Sequence, residues 1–184
     1  MTPPSAIPIL TGERIVLRPF VAADAPIVQR LLQRPEISAT TLNVPYPYPE
    51  GTALAWIAGH PEQAALGRGF AWAICRKDDG ELMGTIGLGV TPRHQRGTLG
   101  YWLGVDYWNQ GFTTEAARLV TTFGFEKIGL HRIDAACLPE NIGSSRVMEK
   151  SGLRYEGTQR GYYRKGDRFL DVAWYAAIAT DPRS

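Results

Sequence analysis

The segment GYWLGVDYWNQGFTTEAARLVTTFGF, residues 100–125, restricts the possible folds of this chain more than any other. An aromatic and aliphatic run of strand character breaks at Asn109, Gln110 and Gly111, and a helix signal begins at Thr113 or Thr114. Gly111 has no Cβ, so the backbone there can take positive φ or come close to a ligand. The amides of Phe112, Thr113 and Thr114 then open a helix without intrahelical partners, at the positive end of the helix dipole. Such a turn is an anion site, and a pyrophosphate is its usual occupant. The same residues also fit a plain helix start, with Thr113 or Thr114 as cap and Glu115 favoured in the first turn.

The 184 residues suffice for one domain over the whole chain, with a core over about residues 12–178. With 44% apolar and 21% charged residues the composition is that of a soluble globular protein. A net charge of +2, with no basic block interleaved with aromatics, speaks against nucleic acid as a partner. No run approaches the ~18 apolar residues that span a bilayer. The stretch TPPSAIPIL lacks the basic start and apolar length of a signal peptide. Cys75 and Cys137 sit far apart, each in an apolar run, which fits two buried reduced thiols better than a disulfide. These features predict a cytoplasmic protein, monomeric or homodimeric, without a membrane partner.

Along the chain, residues 14–18 read as a strand stopped by Pro19. Asp24 then caps a helix with Ile27, Val28, Leu31 and Leu32 on one face, ending before Pro35. The prolines of residues 43–51 force an extended loop whose tyrosines are lids or pocket walls, and residues 52–63 read as one helix. Strands over residues 70–76 and 81–90 flank a Lys77-Asp78-Asp79-Gly80 turn, and a further strand covers 98–105. A helix to about 125, a strand over 133–138, a short helix over 141–150 and two strands separated by a turn at 161–167 complete the order. The pattern predicts an α+β chain in which a mixed sheet carries helices on both faces. The strands 98–105 and 133–138 become parallel neighbours through the intervening helix, with a cleft where their C-terminal ends part.

About 30 residues after Gly111 comes ENIGSSRVMEKSGLRYEG, residues 140–157, where Asn141, Ser144, Lys150 and Gly152 fall in an N-x-x-S-x5-K-x-G frame. Each residue alone has an ordinary use: Asn141 as N-cap, Ser144 bonding its own backbone, Gly152 just past a helix end. The two motifs in this order resemble the GNAT N-acetyltransferases, and within them the branch similar to the RimJ/RimL ribosomal-protein-alanine acetyltransferases. The resemblance covers residues 12–178, including ERIVLRPFVAADA at the start and GDRFLDVAWYA at the end.

The resemblance implies a three-layer fold with a mixed, mostly antiparallel sheet of about seven strands, splayed between the fourth and fifth. It also implies acetyl-CoA as co-substrate, with direct transfer of the acetyl group to a primary amine. The pyrophosphate would rest on Gln110, Gly111, Phe112, Thr113 and Thr114. The pantetheine arm would run along Leu103, Gly104 and Val105, Asn141 would touch it, and Ser144 would lie near the sulfur. Trp108 at the head of the phosphate loop is usual for the branch, whereas Thr113 stands where glycine or alanine is expected. Many relatives place a glutamate, a candidate base, two residues before the Gly-Tyr-Trp. Here that position is Thr98, so no carboxylate base carries over.

The chemistry requires a neutral amine, a polarised thioester carbonyl and a protonated leaving thiolate. A backbone amide near Val105 is the candidate oxyanion donor. Ser144 is the first candidate for protonating the thiolate, and Tyr162 and Tyr163 are its rivals. His94 titrates near neutrality but lies in a loop, where a solvated histidine is the ordinary reading. An α-amine, with pKa about 7.7–8.0, is already partly neutral at physiological pH, whereas lysine at about 10.4 is not. The lack of a carryable base favours an α-amine or a small amine over lysine, and the resemblance implies a protein N-terminal α-amine of ribosomal-protein type as the acceptor. A small amine (amino acid, polyamine or aminoglycoside) and a catalytically silent acyl-CoA-binding module remain alternatives. A dinucleotide oxidoreductase ranks last, because no G-x-G-x-x-G follows the first strand.

Overall fold

A computed structural model of the chain describes residues 4–182. One eight-stranded sheet runs through it in the order β1-β2-β3-β4-β5-β6-β8-β7. The strands are β1 (Leu10–Thr11), β2 (Ile15–Pro19), β3 (Gly69–Arg76), β4 (Leu82–Thr91), β5 (Arg96–Leu103), β6 (Arg132–Cys137), β7 (Arg154–Lys165) and β8 (Arg168–Ile178). Every neighbouring pair is antiparallel except β5 and β6. The count exceeds the expected seven by the two-residue β1, too short to leave a period in the sequence.

Period-two alternation divides the sheet between two cores. Phe70, Trp72 and Ile74 of β3, Ile133 and Ala135 of β6, and Ala173 and Tyr175 of β8 point to one face. There they meet Ala116, Val120 and Phe123 of helix α5 (Phe112–Phe123) and Met148 of α6 (Ile142–Lys150). Ala73 and Cys75 of β3 and Trp102 of β5 point to the other face. That side is covered by α1 (Ala25–Leu32), α2 (Pro35–Thr40) and α3 (Thr52–Ala58), with α4 (His60–Ala65) following. The result is the three-layer α+β arrangement expected from the motifs.

Prolines explain two departures from the sequence reading. Pro35 cannot extend α1 but is well placed in a first turn, so it opens α2 instead of a loop. Likewise Gly59 and Pro61 split the single helix expected over 52–63 into α3 and α4. The turn expected at 161–167 is mostly strand: β7 continues to Lys165, with an irregularity between Gln159 and Tyr163. Gly161 absorbs it at φ +58 and donates its N–H to Asp171 Oδ1, as a bulge does.

Asp24 is not the cap of α1 that its position suggests. Its carboxylate is 4% exposed and accepts from both terminal nitrogens of Arg18, at 2.7 and 2.8 Å, and from the Val21 amide. Burial alone would raise its pKa, but the Arg18 hydrogen bonds, the Val21 amide and the arginine charge outweigh it and hold it low. A depressed carboxylate contributes stability above its unfolded value, and that contribution fades as pH falls through the folded one. Asp24→Ala should cost about 3 kcal/mol at neutral pH in denaturant unfolding, because Arg18 is left without its partner. The deficit should shrink in acid; a cost that is small and independent of pH would contradict this role.

Candidate active site

β5 and β6 pair only from Arg96–Arg132 to Leu99–Ala135. Beyond that point β5 stays bonded to β4 and β6 to β8, so the two strands part and the sheet forks. A cleft of about 1410 Å³ passes through the fork and reaches both faces.

On the α5 side, Gly111 sits at φ +83 and is the N-cap of α5, where a side chain would be strained. The first helical bond is Glu115 N–H to Gly111 O, so the amides of Phe112, Thr113 and Thr114 precede the ladder. Thr113 and Thr114 are half-buried in the cleft wall. Arg14, which the sequence reading passed over, fixes this turn from just before β2. Its Nη1 donates to Gln110 O at 2.9 Å, its Nε and amide reach the Glu115 carboxylate, and its guanidinium lies 5.0 Å from the Phe112 ring centre. Glu115 is thereby neutralised at a helix end that would otherwise present an acid beside an anion.

The second motif closes the opposite wall. Asn141 Oδ1 caps α6 by accepting from Ser144 N at 3.0 Å, and its Nδ2 donates to Thr40 O. Ser144 Oγ lies 2.8 Å from the hydroxyl of Tyr101, which reaches across the fork from β5. Burial pushes the Tyr101 phenol far above its ordinary pKa, against the opposing Ser144 hydrogen bond, so it keeps its proton. Arg146 and Lys150, one helical turn apart, bring positive charge to the same wall.

The expected cofactor residues divide. Leu103, Gly111, Phe112, Thr113, Thr114, Asn141 and Ser144 line the cleft, whereas Gly104, Val105 and Gln110 are outside its lining. Leu103 O accepts from Trp108 Nε1, Gly104 N–H bonds Met83 O, and the Gly104 and Val105 carbonyls accept from Tyr107 and Trp108. That backbone is engaged by its own 3₁₀ turn (Val105–Tyr107), whereas Gly100–Trp102, just past the fork, line the cleft.

On the other face, Trp174 of β8 and Thr98 of β5 line the cleft. Tyr162 is 55% exposed and packs edge-on against Trp174, ring centres 5.6 Å apart, so it belongs to this face and not beside Ser144. Tyr163 donates to Asn43 Oδ1 at 2.6 Å, and Lys165 Nζ to the carbonyls of Ser38 and Thr41. These bonds, with Asn141 to Thr40, tie the segment 38–43 across the cleft mouth. The Trp174 indole N–H is buried without a hydrogen-bond partner among the described residues. Thr98 Oγ1 donates to Asp134 Oδ1 at 2.9 Å, and Asp134 is 3% exposed.

Of the histidines, His94 is exposed in a 3₁₀ turn (Pro92–His94) outside the cleft lining. His60, unremarked in the sequence reading, lines the cleft against Trp56 and Phe20, both ring nitrogens buried and unpartnered. Among the described residues no group of three or more His, Cys, Asp or Glu could hold a metal, and no helix is long and apolar enough to cross a membrane. Cys75 and Cys137 are both free and buried.

Residues 14–154 match the family model described as an acetyltransferase (GNAT) domain. YoaA, an uncharacterised N-acetyltransferase of Bacillus subtilis, is 31% identical over 172 residues, covering 93% of this chain and 97% of the relative. RimJ of Mycobacterium smegmatis, solved in complex with CoA-disulfide, superposes with a TM-score of 0.86 at 23% identity, over 97% of this chain and 90% of its own. A GNAT-family acetyltransferase from Bacillus anthracis gives 0.84 at 24% identity, over 95% and 100%. The two solved structures share the fold; the family model and the YoaA match carry the family.

Burial lowers the His60 pKa from its ordinary 6.5. The unfolded chain therefore takes up a proton that folded His60 refuses, and stability is lost as pH falls from 6.5 toward the lower folded value. His60→Phe should lose less melting temperature than the unaltered protein between about pH 7.5 and about pH 5.5. Equal losses would show that His60 does not titrate on unfolding.

Proposed function

The chain belongs to the GNAT acetyltransferase family, and from that premise we propose that it moves an acetyl group from acetyl-CoA to the α-amine of a protein N-terminus. One observation carries the choice of acceptor: the buried, unpartnered N–H of Trp174 in the wall on the α1–α4 side. An unsatisfied buried donor costs about 1–3 kcal/mol. An α-amine of a peptide brings a carbonyl two bonds away that can satisfy that N–H, whereas a protonated polyamine has only donors. The exposed Tyr162 ring, edge-on to Trp174, offers apolar surface to the residues that follow. Free amino acids share the carbonyl and are the arm of the test that separates a peptide from a small molecule.

The donor fits the other side of the fork. The helix start at Gly111 with its free amides suits a pyrophosphate, and Arg146 and Lys150 add charge for the remaining phosphate. The amine attacks the thioester carbonyl, negative charge gathers on its oxygen, and the backbone edge at Gly100–Trp102 is the nearest set of fixed dipoles. Ser144 Oγ stands at the capped start of α6 and is the donor to the departing thiolate. Tyr101, kept protonated by burial, holds the serine hydroxyl in place through their 2.8 Å contact. Two buried free thiols agree with a reducing, cytoplasmic setting.

The test is acceptor-dependent thiol release from acetyl-CoA with unblocked peptides, N-terminally blocked lysine peptides, amino acids and polyamines. Unblocked peptides should be the best acceptors, and Trp174→Phe should raise their KM while leaving that of acetyl-CoA in place. Acetylation of internal lysines with α-amines untouched would overturn the reading. Gly111→Val should raise the KM for acetyl-CoA, since a β-branched side chain at φ +83 distorts the turn. Ser144→Ala should lower kcat roughly 10²-fold with a smaller effect on KM, and Tyr101→Phe should follow it in direction. Loss of affinity alone would leave Ser144 a capping residue.

A further inference from the structure

The family resemblance leaves this chain without a carboxylate where many relatives have one, because the position is Thr98. Thr98 lines the cleft on the α1–α4 side, at the last paired positions before the fork opens. Directly across the parallel pair, its register partner is Asp134 of β6. Asp134 does not line the cleft itself; it meets the cleft through the hydroxyl of Thr98, which donates to its Oδ1 at 2.9 Å. Since that hydroxyl directs its hydrogen to Asp134, its lone pairs face the cleft as acceptors.

We propose that Thr98 and Asp134 together are the proton acceptor for the incoming amine: the carboxylate has moved one strand over, and Thr98 links it to the nitrogen. This rests on amine acetylation by the family activity and not on which amine is the acceptor. Thr98 is the catalytic residue, and Asp134 acts through it as the positioning residue. The ammonium gives a proton to Thr98 Oγ1 while that hydroxyl passes its own to Asp134 Oδ1, which leaves a neutral amine and a neutral carboxyl. The nitrogen lone pair then forms the N–C bond and the thioester π pair moves onto oxygen. Its return breaks the C–S bond and expels the sulfur as thiolate. A second nitrogen proton reaches the thiolate by way of Ser144, and Asp134 returns its proton to water.

The surroundings keep the other carboxylate oxygen occupied. Arg96 of β5 and Arg132 of β6 each bring Nε within 3.5 Å of Asp134 Oδ2, and Arg132 is shared with Glu156 of β7. From β8 the cross-strand neighbour is Ala176, which carries no charge. Oδ2 therefore balances the guanidinium groups, and Oδ1 is the atom available to Thr98. The three histidines do not compete: His94 and His131 lie outside the cleft lining, and the His60 nitrogens are enclosed beside Trp56 and Phe20.

The full chain with Thr98→Val, Thr98→Ser, Thr98→Glu and Asp134→Asn, and the Thr98→Glu/Asp134→Asn pair, tests this. The probe is acetyl-CoA with a short peptide bearing an alanine α-amine, read as thiol release across pH. Acetyl-CoA affinity by calorimetry controls for folding. Thr98→Val should lower kcat/KM about 10²-fold near neutrality. The gap should narrow above about pH 9, where an α-amine of pKa about 7.7–8.0 is already neutral. Thr98→Ser should restore activity, and Thr98→Glu should restore it even with Asp134→Asn. A Thr98→Val loss that is constant across pH, or no loss, overturns the proposal. If the unaltered protein ignores the peptide, the N-terminal acceptor reading fails separately. The same variants are then compared on slow acetyl-CoA hydrolysis, where water is the nucleophile: a Thr98→Val loss rescued by serine supports the pair, and equal rates overturn it.

Discussion

Everything functional in this molecule depends on the parallel pairing of β5 and β6 ending after Leu99 and Ala135. A continuous ladder would leave a closed sheet with helices on both sides and no passage between them. Ending it early exposes backbone edges that water or a ligand must satisfy, since buried unpaired amides and carbonyls are costly. The fork is stable because its two arms are each paired outward, β5 with β4 and β6 with β8. Side chains then cross where the ladder stops: Thr98 to Asp134 at its base on one face, Tyr101 to Ser144 further up on the other.

On the proposed function, this division gives the two faces different work. The α5–α6 face carries the helix start at Gly111 and the cations Arg146 and Lys150, groups suited to a phosphate-bearing donor. The α1–α4 face carries aromatic surface and the unpartnered Trp174 donor, groups suited to a peptide-like acceptor. The segment 38–43 belongs to neither helix layer alone. It is held by Asn141 from α6 and by Tyr163 and Lys165 from β7, so the elements flanking the donor and those flanking the acceptor share one strap.

Much of the fold is legible in sequence because its signals are local. The Lys-Asp-Asp-Gly turn, the alternation in β3 and β6, the turn at Gly111 and the cap at Asn141 each announce themselves within a few residues. The missed features are of two kinds. Prolines that open α2 and α4 look like terminators until the following turn is known. Partners distant in sequence leave no local period: Arg14 with Gln110 and Glu115, Tyr101 with Ser144, Thr98 with Asp134. Tyr162, which lines the cleft, and Val105 show how position depends on more than local pattern. Their chemistry suited a catalytic role, but Tyr162 packs on the face opposite Ser144, and the turn that follows β5 holds Val105 outside the cleft lining.

Arg14 illustrates how a motif acquires its function from outside itself. Gly111 alone makes positive φ cheap, which permits the turn but does not select it. The turn is selected because the Gln110 carbonyl has a fixed donor and Phe112 a fixed cation, both supplied by Arg14 beside β2. Glu115 ties that arginine in place through its Nε and backbone amide, so an acid in the first turn serves geometry while its charge is cancelled. A helix start organised in this way meets an anion with its amides already oriented, and little reorganisation remains to be done on binding. The first strand edge and the Gly111 turn, about a hundred residues apart, are thus one structural unit.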